Sequence, residues 1–487
     1  MKKQASLKLN FIMNTFLTLS SFLFPLITYP YASRILMPEG IGKVSFATTV
    51  VTIFSMFAEL GIPTYGIREC ARVRDDKHRL SCVVHELFLI NIITSIFAYA
   101  VLFVMCFTVE EFETRRAVIF VMSSIIFLNM IGMEWMYKGL EQYTYITVRS
   151  VIFKFVGLAM VFVLVRNSGD ILQYAAVTVI AGYASQVLNF FYIRRFISKV
   201  CIKELSFKKH LRPIFVFFAM SCATTIYTNL DTIMLGFMTS DTDMGYYHSA
   251  VRIKTILVGV VTSLGAVLLP RASYYIENKM YDEFVNIAGK ALRFVMFFAF
   301  PLMVYFIIYA SDGIYLLSGT DYTGAILPMQ VIMPTVLLIG VTNILGIQML
   351  IPLGQERAVL YSEIAGAAVD LVLNAVFIPV FKSTGAAIGT LAAEFVVLLV
   401  QFYFIKRKVR IKHILPQMPL YIIGTTVGAV LCISVRYLLP SENTEIFEFL
   451  RLLISSLVFA VGYAAVLIIA KDEMLFEIVG GIIKRRK

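Results

Sequence analysis

The sequence predicts an all-α polytopic membrane protein with about 14 transmembrane helices, arranged as two pseudo-symmetric six-helix lobes plus two extra C-terminal helices. Three observations support this prediction: the composition, a long series of apolar segments and an internal repeat. Of the 487 residues, 59% are hydrophobic and only 15% are charged, whereas soluble domains carry about 25% charged residues. Such a chain requires a bilayer, and a backbone in lipid must satisfy its own hydrogen bonds, which favours helices.

The apolar segments are long enough to cross a membrane, which takes about 20 residues. Twelve spans is the alternative count if two of the shorter segments are misread. The first segment is too long for a signal-peptide core, so we expect it to be a retained span. The fourteen predicted spans are residues 9–32, 44–60, 81–107, 117–137, 146–165, 171–192, 213–238, 245–269, 291–309, 324–350, 359–381, 385–404, 420–438 and 449–470.

The basic residues predict the orientation of these spans. If the loops alternate from an inside N-terminus, roughly 30 of the 43 Lys and Arg residues fall on inside segments and roughly 7 on outside segments. Basic residues concentrate on cytoplasmic loops of membrane proteins. We therefore expect both chain ends in the cytoplasm. The formal charge of +12 then reflects membrane topology, and nucleic acid is not an expected partner.

The internal repeat relates the two halves of the chain. Ile41-Gly42 and Met244-Gly245 each open a helix after a short outer turn, 203 residues apart. At that offset the polar stripe Thr18, Ser21 and Thr28 of the first span matches Ser221, Thr224 and Asp231 of the seventh. Both stripes follow helical spacing and give each helix one polar face. A six-helix unit is therefore predicted to occur twice.

This repeat predicts the domain organisation. The N-terminal six-helix lobe spans residues 1–195, the C-terminal six-helix lobe spans 213–405, and residues 415–487 supply two additional helices and a basic cytoplasmic tail. Because six is even, both copies enter the membrane in the same orientation. In transporters built from such repeats, the substrate site lies at the interface of the repeats.

Charged residues inside the predicted spans are the candidate functional residues, because charges in lipid are costly and usually serve function. Five of them are cations, which are natural ligands of phosphate oxygens and therefore favour an anionic substrate. Arg293, which lies nearer the inner surface, could instead snorkel to it. The five candidate substrate-binding cations are Arg149, Lys154, Arg252, Lys254 and Arg293.

Three acids inside the spans are candidates for ion coupling or charge balance, namely Asp231, Asp370 and Glu394. Asp231 and Arg252 each lie about seven residues from the outer turn, so both sit roughly 10 Å deep and could form a merely stabilising pair. On the eleventh span Asp370 shares one face with Glu363, Gly366 and Asn374. We expect that face to line a hydrated cavity.

Other chemistries find little support. The six cysteines form no CxxC pair and the five histidines no HExxH motif, so neither a disulfide framework nor a metal site is predicted. Asp241-Thr242-Asp243 resembles a glycosyltransferase metal motif, but it lies in a short outer turn with no domain around it. No catalytic residue and no cofactor is therefore predicted.

Several motifs resemble those of bacterial polysaccharide flippases. They are FPLITYPYASRIL at 24–36, EGIG at 39–42, ELGIPTYGIRECAR at 59–72, LDTIMLG with MGYY at 230–247, and PLGQER at 352–357. These flippases carry O-antigen or capsule repeat units and belong to the multidrug/oligosaccharidyl-lipid/polysaccharide (MOP) exporter superfamily, whose fold is MATE-like. The chain departs from the family pattern at Leu36-Met37, where the family has Leu-Gly.

The resemblance implies a flippase that moves oligosaccharide repeat units on undecaprenyl pyrophosphate from the cytoplasmic to the outer leaflet, for polysaccharide biosynthesis. It implies a bacterial cytoplasmic (inner) membrane location, contact of the five cations with the pyrophosphate, and alternating access around a cationic central cavity. Membrane lipids, a coupling cation (H⁺ or Na⁺) and polysaccharide polymerase machinery are the further partners it implies.

Two rival functions remain at this stage. The first is a drug/cation antiporter of the same superfamily; such antiporters resemble one another in an acidic ion site on the first helix, and residues 9–32 contain no acid. The second is a membrane enzyme such as a polymerase or ligase, which would need a large outer loop. The largest predicted outer loops, around 108–116 and 439–448, have about ten residues.

Overall fold

The computed structural model describes residues 7–198, 200, 204–263, 265–409, 418–438 and 445–477, which are helical throughout with no β-strand among them. The predicted C-terminal tail beyond 477 and much of the basic linker 406–413 lie outside these ranges. The chain forms two compact units, one ending at Gly245 and the other beginning at Tyr246. The all-helical membrane class predicted from the sequence is confirmed.

The described residues of the first unit form nine complete α-helices: α1 Leu7–Glu59, α2 Ile62–Arg72, α3 Lys77–Thr108, α4 Arg116–Gly132, α5 Glu134–Gly139, α6 Tyr143–Leu164, α7 Ile171–Val179, α8 Gln186–Tyr192 and α9 Lys208–Met238. Helix α1 combines the first two predicted spans and is interrupted at Met37, whose φ is 60° and ψ 173°. Glycine adopts this conformation at low cost and other residues do not. The break therefore occurs where the sequence lacks the glycine typical of the family.

The second unit holds most of α10 and all later helices: α10 Asp241–Thr262, α11 Gly265–Glu277, α12 Tyr281–Ile308, α13 Ala310–Ser318, α14 Ile326–Ile332, α15 Thr335–Thr342, α16 Glu356–Phe381, α17 Ser383–Ile405, α18 Met418–Leu438 and α19 Glu445–Ile469. A π-helical segment, Asn343–Leu350, continues α15. The two C-terminal helices pack on α12 through a buried aromatic cluster that includes Tyr305, Tyr309, Tyr421, Phe459 and Tyr463.

The predicted count of about 14 spans is not confirmed. By length and apolar composition, the described residues contain ten helices able to cross a membrane, or eleven if the pair Thr320–Ile332 and Thr335–Leu350, bent by 43°, forms one span. The long helix α1 counts once in this total, and Arg116–Gly132 is shorter than a typical span. All fourteen predicted segments fall on helical regions, so the difference lies in how helices join and break.

Four predicted spans are interrupted in the described part of the chain, among them the segment 324–350, which contains the bend of the helix pair described above. The segment 117–137 breaks at Met133, whose φ is 40°, and the segment 245–269 breaks between α10 and α11. The segment 171–192 contains a π-helical turn at Ile180–Ala184. Apolar periodicity does not show such breaks, because both sides of each break remain equally apolar.

Helix α2 was not predicted, since the sequence interpretation placed these residues in an inner loop. It begins after Gly61, which has a φ of 74°. Its Tyr65 and Cys70 are buried in a cluster with Trp135 and Tyr137. A short helix with one apolar face packed on this cluster therefore connects α1 to α3.

The division between the two units differs from the predicted lobe boundary. The repeat assigned the helix that is now α9 to the C-terminal lobe, whereas its contacts group it with the N-terminal unit. Contacts alone do not test a symmetry of the two halves. The division into lobes 1–195 and 213–405 with additional helices in 415–487 stays a prediction.

Candidate functional site

The predicted cation Arg149 on α6 forms a buried ion pair inside the first unit. One guanidinium nitrogen donates to Glu134 Oε2 at 2.6 Å and another donates to Ser185 Oγ at 2.6 Å. The residue is 4% exposed, and Lys138 adds a second cation 2.9 Å from Glu134. Burial of a charge is tolerated when it is paired in this way. The charge of Arg149 is therefore already compensated.

Lys154, five residues further along α6, has a different environment. Its Nζ donates to Ser20 Oγ and Ser21 Oγ, both at 2.8 Å. Each hydroxyl proton is used in a bond to the Leu17 carbonyl oxygen, so the serine oxygens are free to accept from the ammonium group. Among the described residues, the hydrogen bonds of this ammonium go to neutral hydroxyls. Within the part of the chain that the structure describes, its charge is therefore held in place without an ion pair.

A polar cavity of about 260 Å³ lies within the first unit. Its polar wall combines hydroxyl, amide, phenol and carboxylate groups from α1, α4, the π-helical turn before α8, and α9. Such a wall can hydrogen-bond a polar ligand or hold a cation. The polar residues are Thr52, Ser55, Glu59, Asn129, Tyr183, Ser221 and Thr225.

Glu59 is the acidic group of this cavity. The Asn129 side chain hydrogen-bonds to it, and Gln186 Nε2 donates to Asn129 Oδ1 at 2.7 Å. Because the amide oxygen of Asn129 is occupied by Gln186, its NH₂ group faces the carboxylate. A chain of amides from α8 and α4 thus positions the acid at the end of α1.

The sequence interpretation missed Glu59 as a functional residue, although it opens the motif ELGIPTYGIRECAR. It is the sole acid in the predicted span 44–60. An acid in an apolar run is a functional signal by itself. Its position at the end of that run also fits a membrane surface, so the sequence alone does not single it out.

The three cations of the second unit differ in their surroundings. Arg252 and Lys254 are both half-buried on α10. Arg293 on α12 pairs with Glu473 at 3.2 Å and borders a cavity of about 540 Å³ together with Lys408 and Asp282. The structure therefore places Arg293 in an ion pair at a polar cavity, and its predicted contact with substrate stays a prediction.

The three predicted acids are all buried: Asp231 is 8% exposed, Asp370 2% and Glu394 9%. Asp231 lies on α9 in the first unit, whereas Asp370 and Glu394 lie on the paired helices α16 and α17 of the second. The polar face of α16 packs closely against Gly389 of α17. If residue 389 carried a Cβ atom, that atom would lie only 3.0 Å from Asp370 Oδ1. A hydrated cavity along that face stays a prediction, as does pairing of Asp231 with Arg252.

The sequence matches a family profile described as polysaccharide biosynthesis protein over residues 7–276. A protein of Escherichia coli (strain K12) named as an O-antigen transporter is 24% identical over 404 residues, which is 82% of this chain and 97% of the relative. A second protein of that name, from Shigella dysenteriae, is 23% identical over 80% of this chain and 97% of its own.

Solved structures of two transporters share the fold. The lipid II flippase MurJ in an inward closed conformation superposes with a TM-score of 0.59 at 15% identity, covering 94% of this chain and 98% of the other. An inward-facing multidrug resistance MATE family transporter of the MOP superfamily superposes with a TM-score of 0.64 at 15% identity. The match covers 80% of this chain and 94% of the transporter. At this identity the likeness shows the fold alone, and the predicted MATE-like class is confirmed.

Proposed function

The chain belongs to the polysaccharide biosynthesis protein family, and from this premise we propose that it is a flippase for lipid-linked polysaccharide precursors. The predicted resemblance to the MOP-superfamily polysaccharide flippases is confirmed. The proposed cargo is an oligosaccharide repeat unit on undecaprenyl pyrophosphate, moved from the cytoplasmic to the outer leaflet of the bacterial inner membrane. The chain acts as a transporter, without chemical change to its cargo.

Simple energetics explain why such a cargo needs a protein. Each polar group that enters hydrocarbon without a hydrogen-bond partner costs several kcal/mol. An oligosaccharide pyrophosphate carries many such groups and at least one full charge. A protein that supplies cations and hydroxyls inside the membrane removes most of this cost, while the polyprenyl tail stays in the lipid. Alternating access around a cationic cavity is the proposed mechanism.

The observation that carries this proposal is the environment of Lys154. An ammonium group in a membrane-spanning helix, held by Ser20 and Ser21 at 2.8 Å, can attract a phosphate oxygen without first breaking an ion pair. Arg149 and Arg293 must each separate from a carboxylate before they can bind a phosphate. We therefore propose Lys154 as the first pyrophosphate ligand, and Arg149 and Arg293 as ligands that exchange partners during transport. Arg252 and Lys254 stay candidate ligands from the sequence.

The acids supply the proposed coupling. Asp231, Asp370 and Glu394 stay candidates for binding H⁺ or Na⁺ or for balancing the cations, and the cavity adds Glu59 to this set. The proposed orientation keeps both chain ends in the cytoplasm, where the precursors are made. Polysaccharide polymerase machinery on the outer side is the proposed consumer of the flipped precursor.

The test compares two lysine variants in a strain whose surface polysaccharide depends on this protein. Lys154→Ala is expected to abolish surface polysaccharide while the protein stays in the membrane, because the substrate loses its accessible cation. Lys254→Ala is expected to do the same. The measurements are surface polysaccharide by gel staining and membrane protein by immunoblotting.

Lys290→Ala is the matched control, because Lys290 is half-exposed and pairs with Glu477 at 3.0 Å. It is expected to leave surface polysaccharide at the wild-type level. Wild-type polysaccharide in both the Lys154 and Lys254 variants would refute the assignment of these residues to the substrate.

A further inference from the structure

Described residues between α8 and the first turn of α9 bond to polar side chains of α3. The Ser198 amide donates to Ser81 Oγ at 2.9 Å. Further along, the Ser206 amide and Lys209 Nζ donate to Glu86, at 2.5 and 3.0 Å from its Oε1. Ser81 and Glu86 lie five residues apart on α3. Described residues on both sides of Glu204 are therefore bonded to α3.

Three potential metal ligands come together here. His78 and Cys82 lie one helical turn apart at the start of α3, and Glu204 reaches them from the connecting segment. His78 Nε2 lies 3.1 Å from Glu204 Oε2. The imidazole nitrogen, the thiol sulfur and a carboxylate oxygen all lie within 4.8 Å of one another. These are the three ligand types that zinc binds in proteins.

The geometry is close to that of a bound ion. Ligand bonds of about 2.0–2.3 Å in a tetrahedral site place the ligand atoms about 3.4 Å apart. The His78–Glu204 separation of 3.1 Å already fits, and the remaining separations are at most 4.8 Å. At the start of α3, Asp76 fixes the first turn by accepting from the His78 and Arg79 amides.

An ordinary surface ion pair between His78 and Glu204 accounts for part of this arrangement. It does not account for the thiol of Cys82, which is less exposed than the other two residues. It also gives no reason for the i, i+4 spacing of His78 and Cys82, which presents two soft or borderline ligands on one helix face. A metal ion uses all three side chains at once.

We propose that His78, Cys82 and Glu204 bind one Zn²⁺ ion, with water as the fourth ligand, and that the ion fastens the connecting segment to α3. On binding, the Cys82 thiol releases its proton to solvent and its sulfur bonds to the metal. None of the proposed substrate-binding cations belongs to this site, and the site does not depend on the flippase proposal. It is a regulatory or stabilising site for a transition metal.

The experiment titrates the purified full-length chain in lipid nanodiscs with Zn²⁺ in competition with a chromophoric chelator. One Zn²⁺ per chain is expected for the wild type. His78→Ala, Cys82→Ser and Glu204→Gln should each weaken binding at least tenfold. Co²⁺ in place of Zn²⁺ should give a sulfur-to-metal charge-transfer band that Cys82→Ser removes.

Cys222→Ser is the control, since Cys222 is a half-buried cysteine on α9; it should bind Zn²⁺ like the wild type. A structural measurement complements the titration: Zn²⁺ should slow hydrogen exchange of the segment around residue 204 in the wild type but not in Glu204→Gln. Stoichiometric binding that survives the triple substitution, or no binding by the wild type, would overturn the proposal.

Discussion

At the scale of single residues, two cations on one helix have different roles. The sequence predicted both Arg149 and Lys154 as cavity cations. In the structure Arg149 is neutralised by Glu134, whereas Lys154 bonds to hydroxyls. Removing one partner of a buried pair leaves an uncompensated charge and costs about 3–5 kcal/mol. An Arg149 variant could therefore lose function simply because it folds poorly. A Lys154 variant leaves no buried carboxylate of the described residues without its partner, so it is the better test of transport.

The carboxylate of Glu59 is the second residue with a testable role. Glu59→Gln keeps the size of the side chain and its contact with Asn129 but removes the negative charge. If this acid holds the coupling cation, the substitution should abolish transport and the response of transport to an imposed ion gradient. The measurement is uptake of a lipid-linked oligosaccharide analogue into vesicles under proton or sodium gradients.

Glu356→Gln is the matched control for this experiment, because Glu356 is an exposed acid at the start of α16. It should transport at the wild-type rate. A Glu59→Gln protein that still responds fully to the gradient would exclude Glu59 from coupling and leave the three acids predicted from the sequence.

At the scale of elements, the turn between α6 and α7 depends on one carboxylate. Asp170 accepts from the Arg166 and Asn167 amides at 2.9 and 2.8 Å. Both bonds lower the pKa of Asp170 below its ordinary value, and the bond from the Arg166 amide has the larger effect. Because the pKa is lowered, the ionised carboxylate stabilises the turn at pH values above the ordinary carboxylate pKa. This stabilisation is lost as the pH falls through the pKa that Asp170 has in the folded protein.

We therefore expect hydrogen exchange of residues 166 and 167, corrected for intrinsic rates, to be slow at neutral pH and to accelerate as the solution becomes strongly acidic. Asp170→Ala should exchange rapidly at all pH values. Gln173, which donates to Asp170 Oδ1 at 3.0 Å, offers a control: Gln173→Ala keeps both amide bonds and should retain the slow exchange. Equal protection in wild type and Asp170→Ala would contradict this account.

Interruptions of helices are also an element-scale feature that the sequence did not show. The breaks at Met37 and Met133 use positive φ values of 60° and 40° at residues that are not glycine. Such strain persists where surrounding contacts determine the backbone. The break at Met133 precedes Glu134, whose carboxylate then reaches Arg149. The strained residue Met133 therefore directly precedes the residue that forms the buried ion pair.

At the scale of the whole molecule, the distribution of basic residues predicts that both chain ends face the cytoplasm, which requires an even number of crossings. Reporter enzymes that are active on one side of the membrane, fused after residue 487 and before residue 1, should both report the cytoplasm. A fusion within 108–116 should report the outside and serves as the control. Ends on opposite sides would exclude both the 14-span and the 12-span interpretations.

The fold class and family followed from the sequence, because a bilayer imposes simple rules on length and composition. A span needs about 20 apolar residues, its backbone must be helical, and its loops carry a charge bias. These rules are local, so a chain of 487 residues displays them without reference to any contact. For this reason the fourteen predicted segments all fall on helices, and the motifs at 24–36 and 59–72 indicated the family.

The chemistry of the sites was decided only by the tertiary structure. Whether a charge in a span is paired or available depends on how helices rotate and pack, as for Arg149 with Glu134 and Lys154 with Ser20. His78 and Glu204 are separated by more than a hundred residues in sequence but lie 3.1 Å apart. Local hydrophobic patterns do not encode such distances, because side chains far apart in the chain meet only through packing.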